Sequence, residues 1–418
     1  MSGNYQSGSL QTVVAEAGAA AAGSGGIDRI LHAVRTHLGM DVAFVSQFGA
    51  HDRVFSHVDA AGRTPIHAGD AASLENGYCQ RVVDGRLPEL IPNAHALPAA
   101  AQLPETAAIP IGSHLSVPIR LSDGRIYGTF CCFSFMPDTS LTERDLHMMR
   151  AFADLVAERI DLDMQARSER DSCMQRIAAA IDDDQPAIVY QPIYDVETGR
   201  IAGVESLSRF NTTPRRTPDV WFGEAARVGL GTRLEGCAVR KALHGLSLLP
   251  DDAYIAINSS PELILSGELG DHFADANLER IVLEVTEHAS VANYDELLAE
   301  LAPLRSRGLR IAIDDTGAGY SSMRHILSIE PDLVKLDMSL TRGIDRDRKR
   351  RALASALIAF ARETGIDIIA EGVETLAEFH TLRTLGVRKV QGYLLGRPVP
   401  PAEVSSKFDL PAGRSLQH

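Results

Sequence analysis

After Gln185 the chain alternates strand-like apolar runs with helical segments, and this alternation limits its fold more than any other feature. The strands read as AIVYQPIYD, IAGVESLSR, YIAINSS, IVLEVTE, LRIAIDD, LVKLDMS, IDIIAEGVE and KVQGYLLG, with helices such as YDELLAELAPLRSRG and RALASALIAFARETG between most of them. Eight strands joined mostly by helices predict an α/β barrel rather than an open sheet. The first two strands break the rule. Only a short Glu-Thr-Gly turn separates them, so they are expected to pair antiparallel and to modify the barrel.

In such a barrel the working face lies at the C-terminal ends of the strands. Those ends carry Glu205, Asn258, Glu284 with Glu287, Asp314 with Asp315, Lys335 with Asp337, Glu371 with Glu374, and Gln391. So many carboxylates on one rim repel one another without cations, which points to a divalent metal held by oxygen. No His or Cys stands at these ends, favouring Mg²⁺ or Mn²⁺ over a zinc-type site. The adjacent Asp314 and Asp315 suggest two metals sharing a carboxylate, an arrangement suited to in-line phosphodiester hydrolysis. Arg209, four residues after Glu205, is a candidate clamp for a phosphate oxygen, the plainer reading being a surface ion pair. Lys335 is a candidate to position the attacking water or neutralise the transition state. Gly317, Gly319, Gly372 and Gly392 read as turn formers, and Trp221 and Phe222 as packing residues.

The ordered segments YQPI (Tyr190 to Ile193), ESLSR (Glu205 to Arg209), INSS (Ile257 to Ser260), LEVTE (Leu283 to Glu287), DDTGAGYSS (Asp314 to Ser322), VKLD (Val334 to Asp337), AEGVE (Ala370 to Glu374) and QGYLLGRP (Gln391 to Pro398) resemble the EAL-domain family of cyclic-di-GMP phosphodiesterases. The resemblance covers roughly residues 172 to 408. It implies a modified TIM (β/α)8 barrel, hydrolysis of cyclic di-GMP to linear pGpG, and dependence on Mg²⁺ or Mn²⁺. Glu205, Asn258, Glu284 and Asp314 resemble the ligands of one metal, and Asp314, Asp315 and Glu371 those of a second. Glu371 and Lys335 then stand near the nucleophilic water, and Glu287 braces the loop after the Asp pair. Gln191, Leu207, Arg209 and Gln391 match substrate-side positions, and Glu374 belongs to the retained AEGVE segment. Two departures stand out: Ser206 where Ala is usual, and Thr316 and Ala318 in place of the frequent Phe and Thr. The second bears on regulation and rate, because that loop is thought to couple metal binding to dimerisation in the family. An alternative reading, a cyclic-di-GMP receptor without turnover, would be marked by lost metal ligands, and none is lost. A metabolic α/β-barrel enzyme with a ligand-sensing domain would instead turn over another phosphate ester.

The N-terminal half has a different texture. An amphipathic helix from Gly26 carries Ile27, Ile30, Leu31, Val34 and Leu38 on one side. Strand-like VAFVSQF, VFSHVDA, LSVPIRL and IYGTFCCFSF follow, the last two joined through Ser-Asp-Gly, a hairpin signal. With ENGYCQRVVDGRLPELIPNA (Glu75 to Ala94), this α+β region resembles a GAF domain. The resemblance implies a small-molecule signal, and nothing in the residues names it. Cys79 is a candidate chromophore or redox thiol against a buried structural reading. His67, His95 and His114 are candidate haem ligands against loop or core roles. From Leu141 to about Ile181 there is no Pro or Gly, and Met149, Phe152, Val156 and Ile160 keep a helical stripe, so a long connecting helix starting at Thr142 is expected. Its heptads are too irregular to assert a coiled coil. The resulting organisation is a tail (1–25), a GAF-like domain (26–140), a connecting helix (141–171), a phosphodiesterase domain (172–408) and a second tail (409–418).

Composition sets outer bounds. The 418 residues exceed one compact core, and 41 Lys and Arg against 55 Asp and Glu leave a net charge of −14. That balance argues against binding nucleic-acid polymers or anionic membranes. No apolar run approaches a membrane span, and the first basic residue is Arg29, so no secretory signal is expected. Five scattered cysteines read as reduced, buried thiols of a cytoplasmic protein, and adjacent Cys131 and Cys132 should point to opposite faces of a strand. A homodimer is expected from the prevalence of symmetric pairing.

Overall fold

A computed structural model describes residues 25–213, 215–285, 293–316 and 326–408, with the backbone alone at Asp315 and Thr316. The chain divides into two compact units, Met1–Glu169 and Arg170–His418, and the division falls inside one helix.

In the N-terminal unit, helix α1 (Gly26–Leu38) buries Ile27, Ile30, Leu31 and Val34, the spacing of one helical face. Six strands follow: β1 (Val42–Phe48), β2 (Asp52–Ala60), β3 (Ala71–Ser73), β4 (Leu90–Ile91), β5 (Ser113–Arg120) and β6 (Ile126–Ser134). They form an antiparallel sheet in the order β3-β2-β1-β6-β5-β4. The Ser-Asp-Gly turn joins β5 to β6, with Gly124 at φ 85° and the Leu121 N–H donating to the Arg125 carbonyl. On one face, Leu115, Val117, Phe130 and Cys132 pack against α1 and the first half of α3, a 40-residue helix spanning Glu143–Asp182. On the other face, Phe44, Cys131 and Phe133 pack with helix α2 (Tyr78–Val83). Cys131 and Cys132 therefore lie in different cores, as the period of two in a strand requires.

The long helix begins as expected. The Thr142 N–H and Oγ1 both donate to the Asp145 carboxylate at 2.8 Å. Met149, Phe152, Val156 and Ile160 are buried in the core of the N-terminal unit. Farther along, Cys173, Ile177 and Ala180 pack with Phe210 and Trp221, whose rings stack at 4.9 Å. All five cysteines are free, but Cys237 is only half-buried: it lies near the surface beside Arg240, whose Nη2 is 3.1 Å from its sulfur. His114 is buried, whereas His67 and His95 are exposed on loops, so the three are core and loop residues.

In the second unit, β7 (Ala187–Asp195), β8 (Ile201–Arg209), β9 (Tyr254–Ser259), β10 (Ile281–Val285), β11 (Arg310–Thr316), β12 (Leu333–Leu336), β13 (Asp367–Ala370) and β14 (Lys389–Val390) close a barrel. Strand β7 runs antiparallel to both β8 and β14, and every other pairing is parallel. Helices α4 (Pro218–Val228), α5 (Gly231–Leu243), α6 (Tyr294–Ser306), α7 (Arg348–Thr364) and α8 (Leu376–Leu385) lie between strands along the chain. Ile193, Tyr254, Ala256, Val282, Ala312, Leu333 and Ile369 form one buried cluster. Gly203 completes it, because a Cβ there would sit 2.6 Å from the Tyr254 carbonyl oxygen. Strand β14 is much shorter than KVQGYLLG suggests. After Val390 the chain folds onto the segment following β13, where a Cβ on Gly392 would lie 2.1 Å from the Val373 carbonyl oxygen.

Candidate active site and metal centre

The interior cluster already determines which side chains reach the rim. In a strand, residues two apart share a face. Two residues after Gly203, Ala256, Val282, Ala312, Leu333 and Ile369 come Glu205, Asn258, Glu284, Asp314, Lys335 and Glu371. Strand β7 runs the other way, so its rim residue, Gln191, precedes Ile193. Parallel register sets Glu284 beside Asn258 and Ala312.

Lys335 stands at the centre. Its Nζ lies 2.7 Å from Glu371 Oε1, 3.0 Å from Glu284 Oε2, 3.1 Å from Asp314 Oδ1 and 3.4 Å from Glu205 Oε1. Asn258 Nδ2 approaches Glu205 Oε1 at 3.4 Å. Gln391 Nε2 donates to both Glu205 and Gln191, and Gln191 Nε2 donates to the Gly396 carbonyl at 3.2 Å. Lys335 and Glu284 are almost wholly buried, while Asp314 and Glu371 open toward solvent.

The electrostatics follow from this crowding. Burial alone would lower the Lys335 ammonium, but Asp314, Glu205, Glu284 and Glu371 hold it well above its ordinary value. Burial pushes Glu284 well above the carboxylate range despite Lys335, with Glu205, Asp314 and Glu371 adding to the rise. Glu371 is pushed up to about 8 by burial, aided by Asp314 and Glu205 and opposed by Lys335. Burial leads the carboxylate shifts, and a cage holding more negative charge than one ammonium neutralises adds to them and raises Lys335.

Glu205, Glu284 and Asp314 each offer a carboxylate oxygen, all within 4.8 Å of one another. Glu284 Oε1 is buried and accepts no hydrogen bond among the described residues. A set of hard oxygen donors with a spare buried acceptor and surplus negative charge fits Mg²⁺ or Mn²⁺.

Two hollows flank the end of β8. One, of about 480 Å³, is lined by Gln191, Glu205, Asp314, Glu371, Glu374 and Gln391. The other, of about 340 Å³, is lined by Leu207, Arg209, Phe222, Glu235 and Asn258. The expected substrate-side residues are thus divided between them. Arg209 is not among the residues drawn into the cage: its Nη1 donates to the Ser208 carbonyl at 2.8 Å. Asp337 lines the first hollow but accepts the Ser339 N–H at 2.8 Å as a helix cap. Glu287 and the Asp315 side chain lie outside the described residues.

Two residues escaped the strand-end reading. Arg342 pairs with Glu374 and lines the first hollow. Glu235, on α5, accepts the Ser260 N–H at 2.9 Å, and burial raises its pKa. Neither stands at a strand end, so the pattern that found the cage carries no signal for them.

The EAL-domain family model matches residues 174–398, and a GAF-domain model matches residues 27–161. The cyclic di-GMP phosphodiesterase NbdA of Pseudomonas aeruginosa is 31% identical over 291 residues, 65% of this chain and 37% of that protein. The bifunctional diguanylate cyclase/cyclic di-GMP phosphodiesterase MucR of the same organism is 31% identical over 237 residues, 54% of this chain and 35% of that one. The chain thus spans little more than a third of the length of these relatives. Among solved structures, the PaMucR phosphodiesterase in complex with c-di-GMP superposes at a TM-score of 0.51 with 29% identity, covering 56% of this chain and 99% of that one. An EAL-domain protein from Listeria monocytogenes gives 0.51 with 25% identity over 55% of this chain and 95% of its own.

Proposed function

Because this chain belongs to the EAL-domain family, we propose that its barrel hydrolyses one phosphodiester bond of cyclic di-GMP to give linear pGpG. The observation that carries the reading is the oxygen cage of Glu205, Glu284, Asp314 and Glu371 around Lys335, opening on a hollow of nucleotide dimensions. Glu205, Asn258, Glu284 and Asp314 are the residues to hold one Mg²⁺ or Mn²⁺ ion, and Asp314, Asp315 and Glu371 a second. When bound, the ions supply Lewis-acid polarisation of the scissile phosphate and neutralise its developing charge.

The chain's own groups divide the remaining work. Glu371, oriented by the Lys335 ammonium 2.7 Å away, takes a proton from the attacking water. The water oxygen bonds to phosphorus as the opposite P–O bond breaks, and the departing oxygen is protonated from solvent. Lys335 offsets negative charge on the phosphate. Gln191, Glu374 and Gln391 contact substrate from one hollow, and Leu207 and Arg209 from the other. Glu287 braces the loop after Asp315.

We assign the GAF-like unit a regulatory role through a small-molecule signal, and a homodimer as the working assembly. Among the described residues no helix is long and apolar enough to cross a membrane.

The test is product formation from cyclic di-GMP with Mg²⁺, Mn²⁺ or EDTA, using the full chain. Metal-dependent pGpG is expected. Tight binding without turnover in either metal would sink the hydrolase and leave a receptor.

A further inference from the structure

Behind the sheet of the N-terminal unit, two cysteines 52 positions apart meet. Cys79 on α2 and Cys131 on β6 face each other with Sγ atoms 3.8 Å apart. Both are buried, and both line the core beneath α2. No third metal-type donor completes a group with them among the described residues, so the pair does not read as a zinc site. Packing alone would accept any small apolar pair at these positions. Polar groups nevertheless stand among the apolar residues around them.

Arg53 lies beside the pair, 1% exposed, and forms an ion pair with Glu105. Among the described residues, its Nε and Nη1 have no hydrogen-bond acceptor and buried His114 Nδ1 has no partner. Gly77 is what admits the guanidinium, because a Cβ there would sit 2.1 Å from Arg53 Nη1. Arg53, Glu105, Tyr78, His114 and Cys79 line a cavity of about 10 Å³, room for about one water-sized molecule. Cys131 is held from behind by Ser116 Oγ and Thr129 Oγ1, each 3.1 Å from its sulfur. Burial raises the Cys79 thiol, but its hydrogen bond with Cys131 and the Arg53 charge outweigh this and bring it below its ordinary value. Burial, and then the neighbouring Cys79, push Cys131 well above. The pair is polarised: the Arg53 charge favours ionisation at Cys79, which lines the small cavity, and burial disfavours it at Cys131.

We propose that Cys79 and Cys131 are a peroxide-oxidisable dithiol that closes to a disulfide tying α2 to β6. The Cys79 thiolate attacks one oxygen of hydrogen peroxide. The O–O bond breaks, hydroxide leaves and is protonated to water, and Cys79 becomes a sulfenic acid. Cys131 sulfur then attacks Cys79 sulfur, the S–O bond breaks, and the Cys131 proton leaves with the hydroxyl as a second water. Two thiols and one peroxide give one disulfide and two waters. Closing requires the sulfurs to move from 3.8 Å to about 2.05 Å, within reach of side-chain rotation. The cavity is of the size of about one water and shields the thiols from bulky reagents while the protein is folded.

The test is peptide mapping of the full-length protein after treatment with hydrogen peroxide, unfolding, alkylation of remaining thiols in the unfolded chain and digestion without reductant. The expected result is a linked peptide joining the Cys79 and Cys131 segments, with free thiols falling from five to three. Fragmentation of that peptide distinguishes Cys131 from Cys132, which packs on the other face beside Met149. In the Cys131→Ala variant, dimedone present as the peroxide-treated protein is unfolded should label Cys79 as a trapped sulfenic acid. Wild-type mapping stands even if that variant fails to fold. The proposal is overturned if Cys79 and Cys131 both stay alkylatable at a peroxide dose that oxidises half-buried Cys237. A link to Cys132, or to another molecule only, overturns it equally.

Discussion

Replacing Lys335 by Met keeps the bulk of the side chain and deletes the charge at the centre of the cage. Four carboxylate oxygens lie between 2.7 and 3.4 Å from Nζ. At an effective dielectric of about 20, each such contact is roughly 5 kcal/mol of gross attraction when the carboxylate is ionised. Desolvation of the ammonium and repulsion among the carboxylates offset most of this. Breaking a buried ion group by removing one partner costs about 3–5 kcal/mol net, a fall in the barrel's Tm of roughly 6–20 °C for a unit of this size. The loss also has a pH sign. Glu371 is already pushed up to about 8, and Glu284 well above the carboxylate range, although Lys335 opposes both shifts. Without the ammonium they hold their protons to still higher pH. The folded, metal-free barrel then binds more protons than the unfolded chain, so its stability falls as pH rises through that window. The slope is about 1.4 kcal/mol per pH unit for each proton held. Scanning calorimetry of wild type and Lys335→Met in EDTA at about pH 5 and about pH 8.5 measures the gap, and excess Mn²⁺ should narrow it. A variant whose Tm in EDTA at the higher pH stays within ~2 °C of wild type would refute the reasoning. So would a gap that ignores pH.

Divalent-metal binding should release protons, because Glu284 and Glu371 bind a cation only when ionised; affinity therefore rises with pH up to about 8, and calorimetric titration in buffers of different ionisation enthalpy should show the release. Glu205→Ala and Asp314→Ala should each cut hydrolysis by about 10²–10³-fold or more, and wild-type turnover in either would displace the site. Gly392→Ala would set a Cβ 2.1 Å from the Val373 carbonyl, shifting the segment that carries Glu371 and Gln391. Turnover should fall even at saturating metal, with about 1–3 kcal/mol lost from the barrel's stability by denaturant titration. Gly77→Ala would press on the Arg53–Glu105 pair and destabilise the N-terminal unit by about 1–3 kcal/mol while sparing the barrel transition in calorimetry.

Much of the rim was legible in the chain because strand periodicity is local. Once β10, β11, β12 and β13 are located, the step of two from Val282, Ala312, Leu333 and Ile369 names Glu284, Asp314, Lys335 and Glu371. The antiparallel placing of β7 followed from the length of one turn, and the opposed faces of Cys131 and Cys132 from the pleat. These features depend on neighbours in sequence, and neighbours in sequence are what a linear pattern encodes.

Distances across the fold are a different matter. That one ammonium touches four carboxylates from four strands depends on barrel closure and stagger, which no single strand specifies. The early end of β14 depends on the chain meeting Val373, and the fold of Arg209 onto its own strand on the space beside it. Glu235 and Arg342 enter the hollows from a helix and a loop whose positions are set by packing. The meeting of Cys79 with Cys131 under a buried Arg53 likewise needs a helix laid across a sheet. Sequence alone determined which residue types reach each face, because alternation is a property of the backbone. Tertiary structure decided which of them touch, because contact requires two elements to be packed at one distance.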